Sequence, residues 1–488
     1  MHENPPYGMI AILFIGGFVA LLNNTLLNIA IPTIMEEFSV APSSVQWVTT
    51  GFMLINGILI PTSAFFIQKF TNRRLFLTAM SLFTIGTALA MVAPNFLLIV
   101  VARMIQASGS AMMMPLLMNV MLTAFPVERR GAAMGLFGMV MFTAPAIGPT
   151  LSGWVIEQYS WRMLFGIILP FAIFTIIFAL FKLRNITPNR DVKIDVFSLV
   201  MSSIGFGGLL YGFSSAGEHG WGSLDVYGTI IVGTIGLVGF IIRQLRLDEP
   251  MLDFKVYKYP MFALASVISI VMSVSMFSGM ILTPLYVQTI REISPFHSGI
   301  LMLPGAVIMG IMSPITGRLF DRYGARALSL FGLIITIVMT FQLSRLTMDI
   351  GYFNLMALYT VRMFGMSMVM MPIMTNGLNQ LPMVLNPHGT AMNGTLQQVS
   401  GAIGSALLLT IMTKRTESSA AERIADAQVS GKEELAVMQE ELLNVAMLDG
   451  INFAFLVSTI IAVLAFILTL FIKRVTPPPY TETAPAEE

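Results

Sequence analysis

Apolar residues gather into long runs along almost the whole chain, each close to the roughly 20 residues a helix needs to cross a bilayer. Fourteen such runs are legible, near 9–31, 45–67, 75–93, 96–122, 131–156, 162–181, 195–216, 226–243, 260–286, 297–316, 327–345, 353–376, 395–413 and 451–472. They predict an all-α integral membrane protein with fourteen transmembrane helices. The one sizeable polar interruption, 414–450, alternates acids and bases among Ala, Leu and Met. That pattern suggests an external amphipathic helix or hairpin. The Pro-rich end, 476–488, has the composition of a disordered tail.

Composition agrees. Of 488 residues 56% are hydrophobic and only 11% charged, against about 25% charged in soluble domains. The first run lacks the basic start and small-residue cleavage site of a signal peptide. A net charge of +1 gives no case for nucleic acid. The absence of Cys excludes a disulfide or thiolate metal site. Four His, at 2, 219, 297 and 388, have no metal-ligand spacing, and no Walker sequence is present. No cofactor, metal or catalytic residue is therefore expected. If the chain transports, its energy comes from an ion gradient or from the substrate's own.

Basic residues set the orientation. With a cytoplasmic N-terminus, 18 of the 27 Lys and Arg fall on the inside, among them Arg73, Arg74, Arg129, Arg130, Arg190, Lys193, Arg318, Arg322, Arg326, Lys473 and Arg474. Seven fall outside, four of them (Lys414, Arg415, Arg423 and Lys432) in the long loop, where the charge rule is weak. Both termini are expected in the cytoplasm of a plasma membrane, in a bacterium.

The chain also repeats itself. Val40-Ala41-Pro42 to Thr71 matches Ile293-Ser294-Pro295 to Gly324 at a constant offset of 253, aligning Gly57 with Gly310, Pro61 with Pro314 and Gln68 with Asp321. Arg103 and Pro115 are echoed by Arg362 and Pro372. The repeat implies two parallel six-helix halves, 1–190 and 259–475, with two helices inserted at 191–258. A substrate would then bind at the midplane between the halves.

Several constellations stand out inside the apolar runs. Gly135, Ala144, Gly148-Pro149 and Ser152-Gly153 put small residues and a kinking proline on the fifth run, with Pro145 beside them. Close helix packing alone would also use such spacing. Arg103 and Arg362 are guanidinium groups within the membrane, where a charge is costly and faces a cavity or a partner. Gln106 follows Arg103 by one turn. Asn23, Asn24 and Asn28 place three amides within six residues of the first run. Methionines cluster in the fourth and twelfth runs, including Met114, Met118 and Met371, with Asn376 nearby. Thioethers suit an adaptable binding surface, and equally fill gaps between helices. The loop Gly317-Arg318-Leu319-Phe320-Asp321-Arg322-Tyr323-Gly324-Ala325-Arg326 combines tight-turn glycines with charges that can latch helix ends. Its counterpart has Gln68 for the Asp and no glycines, so pairing is expected from Asp321 with Arg322 or Arg326, and little from Gln68.

These motifs resemble the fourteen-span drug:proton antiporters of the major facilitator superfamily. The fifth run is similar to their antiporter signature, with Ala144 and Ser152 in place of glycines. Arg103-x2-Gln106-Ala107-x-Gly109 resembles their fourth-helix motif, whose Arg is associated with proton coupling. The 317–326 loop resembles the superfamily's loop between helices, and Leu22 to Pro32 resembles their first-helix signature with Asn23 where an Asp is usual. Trp161-Arg162-x2-Phe165 and Gln398 to Ala406 extend the likeness. The lincomycin-type exporters share the amide in the first helix.

The resemblance implies a major facilitator fold and proton-coupled export of hydrophobic or cationic drugs across the lipid bilayer. The implied substrate-cavity residues are Asn23, Asn24, Asn28, Gln106, Met114, Met118, Met371 and Asn376. A carrier for one metabolite, lipid or peptide in the same fold stays open, since fold does not fix function. The proton carrier also stays open. Glu36, Glu37, Glu157, Asp195, Asp321 and Asp449 all lie at the ends of runs, and no Asp or Glu occurs in the middle of one.

Overall fold

The computed structural model describes residues 7–40, 42–45, 47–126, 129–186, 195–429 and 435–475. The tail 476–488, Arg190, Lys193 and Lys432, and the side chains of Asn28, Pro42, Pro149 and Pro295, lie outside the described residues. Among the described residues the secondary structure is helical throughout, and fourteen stretches are long and apolar enough to cross a membrane.

The first six spans are α1 (Tyr7–Phe38), α3 (Trp47–Lys69), α4 (Asn72–Met91), α5 (Phe96–Ala124), α6 (Arg130–Gln158) and α7 (Arg162–Lys182), with a one-turn α2 (Pro42–Val45). The inserted pair is α8 (Val196–His219) and α9 (Leu224–Arg246). The last six spans begin with α10 (Pro260–Leu285), α11 (Pro295–Tyr323) and α12 (Ala325–Leu343). They continue through α13 (Tyr352–Ser367) with α14 (Met370–Asn379), then α15 (Asn386–Val429) and α16 (Leu435–Thr469). Large apolar side chains on α7 and α9, such as Phe171, Phe174, Phe178, Ile231 and Ile235, are exposed on the surface, as a bilayer solvent allows.

Proline accounts for the two irregularities. The twelfth span, expected as one helix, breaks at Met368–Val369 between α13 and α14. Pro372 has no N–H to give the Met368 carbonyl four residues back. The Ser329 hydroxyl of α12 donates to that carbonyl instead, at 3.4 Å. Pro284 near the end of α10 is followed by a π-turn at Tyr286–Ile290.

The two halves meet along two seams. At one, α6 and α11 run antiparallel over much of their length. At the other, α3 packs on α15. The inserted α8 pairs with α9 and also packs against both α3 and α15, so it covers the second seam from outside. Tyr211 of α8 stacks on Trp47 at 5.9 Å, and Trp221 donates to the Thr410 hydroxyl at 2.7 Å. The predicted polar interruption is largely helix: α15 continues past the membrane stretch, and α16 begins at Leu435. The Arg423–Asp449 ion pair (2.7 Å) ties the two extensions together.

Candidate functional site

The α6–α11 seam is close because glycine faces backbone. A Cβ on Gly131 would lie 2.5 Å from the Gly317 carbonyl, and one on Gly317 would lie 2.1 Å from the Gly131 carbonyl. A Cβ on Gly135 would lie 2.5 Å from the Ser313 carbonyl. Such distances leave no room for a side chain, so small residues are obligatory there. The antiporter-like residues nevertheless serve two different contacts. Gly135 faces the other half, whereas Gly148 faces Thr25 of α1, its Cβ position 2.1 Å from the Thr25 hydroxyl. Ser152, where the signature has glycine, donates its hydroxyl to the Leu26 carbonyl of α1 at 2.6 Å. Ala144 is fully buried, and Gly153 lies more loosely against Phe296.

At the basic end of this seam Asp321 reaches across the halves. Its Oδ1 accepts the Gly131 N–H at 2.9 Å and its Oδ2 accepts the Ala132 N–H at 3.1 Å. Those donors belong to the first turn of α6, whose N–H groups have no partner within the helix and carry the positive end of its dipole. The expected pairing of Asp321 with Arg322 or Arg326 is therefore corrected. Arg322 lies over the Tyr323 ring at 5.2 Å, and Arg474 donates to the Asp321 and Arg322 carbonyls. The ion pairs formed among the described residues are Arg162–Glu37, Arg243–Asp195 and Arg423–Asp449. Gly324, at φ +80°, makes the turn between α11 and α12 in a region closed to other residues.

The expectation for Gln68 is also corrected. It is buried, not in a wet loop; its Nε2 donates to the Ala64 carbonyl at 3.1 Å and lies 3.1 Å from His388 Nε2 at the start of α15. The Asp253 N–H donates to His388 Nδ1 at 3.0 Å. The imidazole is thus held between the Asp253 backbone on one side and the Gln68 amide on the other. Gln68 thus bridges the second seam as Asp321 bridges the first.

Both arginines are fully buried inside their own halves. Arg103 donates to Gln106 Oε1 (2.6 Å) and stacks over Phe52 at 4.1 Å, while Gln106 donates onward to Thr87 (2.7 Å). Arg362 donates to the Thr340 hydroxyl (2.9 Å), the Ser278 hydroxyl (3.2 Å) and the Ser275 carbonyl. One terminal nitrogen of each guanidinium has no hydrogen-bond partner. Among the described residues no carboxylate pairs with either charge.

A half-open apolar chamber of about 100 Å³ lies between the halves. The first half contributes Met141, Phe142 and Pro145 of α6. The second contributes Met276 and Met280 of α10, Met302 and Met309 of α11, and Tyr359 and Met363 of α13. Phe142 also borders a smaller polar recess with Ser269, Ser273, Met371, Asn393 and Gln397.

Of the predicted cavity residues, the structure brings Met371 to the recess and places others elsewhere, while Pro145 of the antiporter-like motif lines the chamber. Met114 packs against Gly17 of α1, and Met118 is buried in the core. Asn23 is buried with its Nδ2 unpartnered, and Asn24 is half-buried. Asn376 clamps the segment that follows α16, donating to the Lys473 carbonyl (3.1 Å) and accepting the Val475 N–H (3.3 Å). The spacing 276/280 and 302/306/309 carries the helical signal for the methionine wall, obscured by the denser clusters elsewhere.

The end-of-run acids are engaged too. The Trp161 indole (2.6 Å) and Arg162 (2.7 Å) hold the Glu37 carboxyl below its ordinary range. Arg243 and Ser198 hold Asp195 down to about 2. Asp449 bonds Ser419 and Arg423. Glu36 and Glu157 are exposed.

The sequence signature of the Major Facilitator Superfamily matches residues 13–405. A lincomycin resistance protein of Listeria monocytogenes is 42% identical over 469 residues, covering 96% of this chain and 97% of the relative. An uncharacterized MFS-type transporter of Bacillus subtilis is 44% identical over 496 residues, covering 96% and 93%. The human organic anion transporter MFSD10 superposes with a TM-score of 0.66 at 13% identity, covering 96% of this chain and all of that one, a likeness of fold. With fourteen membrane-length helices, a superfamily signature over most of its length and relatives of the same span, the chain belongs to the major facilitator superfamily and is a multi-pass membrane transporter, not an enzyme.

Proposed function

We propose that this transporter exports hydrophobic or cationic drugs in exchange for protons by alternating access, with its basic face and both termini in the cytoplasm of a bacterial plasma membrane. The observation that carries the reading is the methionine chamber between the halves. Its wall is built of flexible thioethers that adapt to ligands of different shape. At about 100 Å³ it is smaller than the roughly 300 Å³ of a drug-sized pocket, so loading requires the halves to separate. Asp321 and Gln68 cross-link the halves at the basic face and must release for that to happen. Lincomycin resistance in a relative spanning nearly the same length supports export over import.

In this reading 1–190 and 259–475 move against each other, 191–258 rides on the second seam, and Arg103 and Arg362 couple protons to the movement. Everted vesicles test it. With an imposed proton gradient they should accumulate lipophilic drugs from a mixed panel, and a protonophore should abolish the uptake. Accumulation of one metabolite alone, indifferent to the gradient, would support the single-substrate carrier instead.

A further inference from the structure

We infer that the methionine chamber takes uncharged amphipathic molecules and discriminates against permanent cations. This rests on the reading that the chamber is the substrate site, and it narrows the hydrophobic-or-cationic range proposed above to the uncharged part. The stretches that build it are empty of acid: no Asp or Glu occurs at 254–291, 293–320 or 350–416, and the only acids on α6 and α11, Glu157 and Asp321, lie at the helix ends, the latter bound to the start of α6. A cation entering an apolar chamber gives up hydration and regains it only against a counter-charge or a dense set of acceptors. Here it would meet thioethers and two ring faces.

The charge that does lie nearby has the wrong sign. Arg362 stands directly behind the chamber wall. Tyr359, one turn before it, and Met363, next to it, line the space. Its Nη1 packs on Gly279, where a Cβ would be 2.1 Å away, and Gly279 is followed by the lining residue Met280. Every hydrogen-bond partner of Arg362 is neutral. A buried charge without a counter-ion projects its field through the low-dielectric wall and repels a cation in the chamber.

The adjoining recess supplies polarity without charge. Ser273 is 1% exposed and its hydroxyl has no partner, while Asn393 and Gln397 are amides. Such groups fit hydroxyls, amides or esters on an otherwise apolar molecule. The geometry therefore assigns an apolar body to the chamber and a neutral polar group to the recess.

The test uses the full chain, purified in detergent, and equilibrium dialysis with two isosteric probes. One is an aryl amide bearing a tert-butyl group; the other bears trimethylammonium in its place. The tert-butyl probe should bind at least about tenfold tighter, a difference of about 1.4 kcal/mol. Ser273→Asp, or the less buried Ser269→Asp, should narrow or reverse that preference by adding the missing counter-charge. Equal or tighter binding of trimethylammonium by the unmodified protein overturns the inference, as does failure to bind either probe. Because binding is read without a gradient, loss of proton-driven uptake with the preference intact would remove the export reading alone.

Discussion

Gln68 and His388 meet at 3.1 Å across the α3–α15 seam, in the position that Asp321 and the start of α6 occupy across the α6–α11 seam. Gln68 and Asp321 are equivalent in the 253-residue repeat, and each reaches the first turn or two of a helix in the opposite half. The fold has kept both closures while changing the chemistry of one. A carboxylate on a helix dipole serves the first seam, and an amide–imidazole–backbone relay serves the second.

Both closures should therefore matter. Asp321→Asn retains one acceptor and loses a charge-assisted bond, while Gln68→Ala leaves the His388 ring without its amide. Each should shift the balance of open and closed states by about 5- to 30-fold, the span of a 1–2 kcal/mol coupling. Single cysteines placed at the basic face would report it through altered labelling rates, with no native thiol to remove. Unchanged labelling in Gln68→Ala would mean that the second seam holds without the relay.

Gly135 and Gly148 should respond differently to alanine. The obstacle at Gly148 is the Thr25 side chain, its hydroxyl at 2.1 Å and its Cβ at 2.8 Å, so Thr25→Gly should restore transport to Gly148→Ala. The obstacle at Gly135 is the Ser313 carbonyl, and no side-chain change removes a backbone atom. Gly135→Ala should reduce transport at least about tenfold by blocking close approach of the halves. Rescue of Gly135→Ala by a substitution at Ser313 would show that this seam tolerates separation.

Arg103→Lys should abolish proton-driven uptake while the protein still reaches the membrane. The planar fork bonds Gln106 and lies flat on Phe52 at once, and an ammonium group reproduces neither the plane nor the spread of donors. The thermal midpoint in detergent should also fall, since a buried charge loses its acceptors. Uptake at the unmodified rate in the Lys variant would reduce Arg103 to packing.

Asp195 should prove silent in transport. Its pairing with Arg243 lowers it from 3.8 to about 2, so the stabilisation is fully present above about 3.8 and lost as pH falls toward 2. Between about pH 5 and 8 it keeps its charge throughout. Asp195→Asn should leave the pH profile of uptake unchanged and slightly weaken the docking of α8 on α9. A profile displaced in that variant would make Asp195 a proton carrier.

Much of the fold was legible because a bilayer enforces length and apolarity on every span. The broken twelfth span was hidden, since Pro372 resembles Pro115, and Pro115 leaves α5 continuous. Proline marks where a carbonyl loses its donor; whether the helix opens depends on a neighbour such as Ser329. The candidate site was less legible for a related reason. Methionine and asparagine are common on these helices, and only the packing decides which face a chamber. Asn376 and Met371 are five residues apart, yet one holds the segment that follows α16 and the other borders the recess. Gln68 was misjudged because burial by α15, 320 residues away, leaves no local trace.

The length of α15 turns it into a pointer. Its 44 residues span about 66 Å at 1.5 Å per residue, against about 40–45 Å for the bilayer with its headgroups. One end carries His388 and the closure at the basic face; the other stands well clear of the opposite surface, clipped to α16 by Arg423 and Asp449. A helix of that length swings its tip by about 1 Å for each degree of tilt. Rearrangement at the basic-face closure is thereby written as displacement in the medium on the opposite side, where an antibody fragment or a fluorophore can read it. The same leverage works in reverse: a binder that pins the tip to the neighbouring half would arrest the transporter without entering its membrane interior.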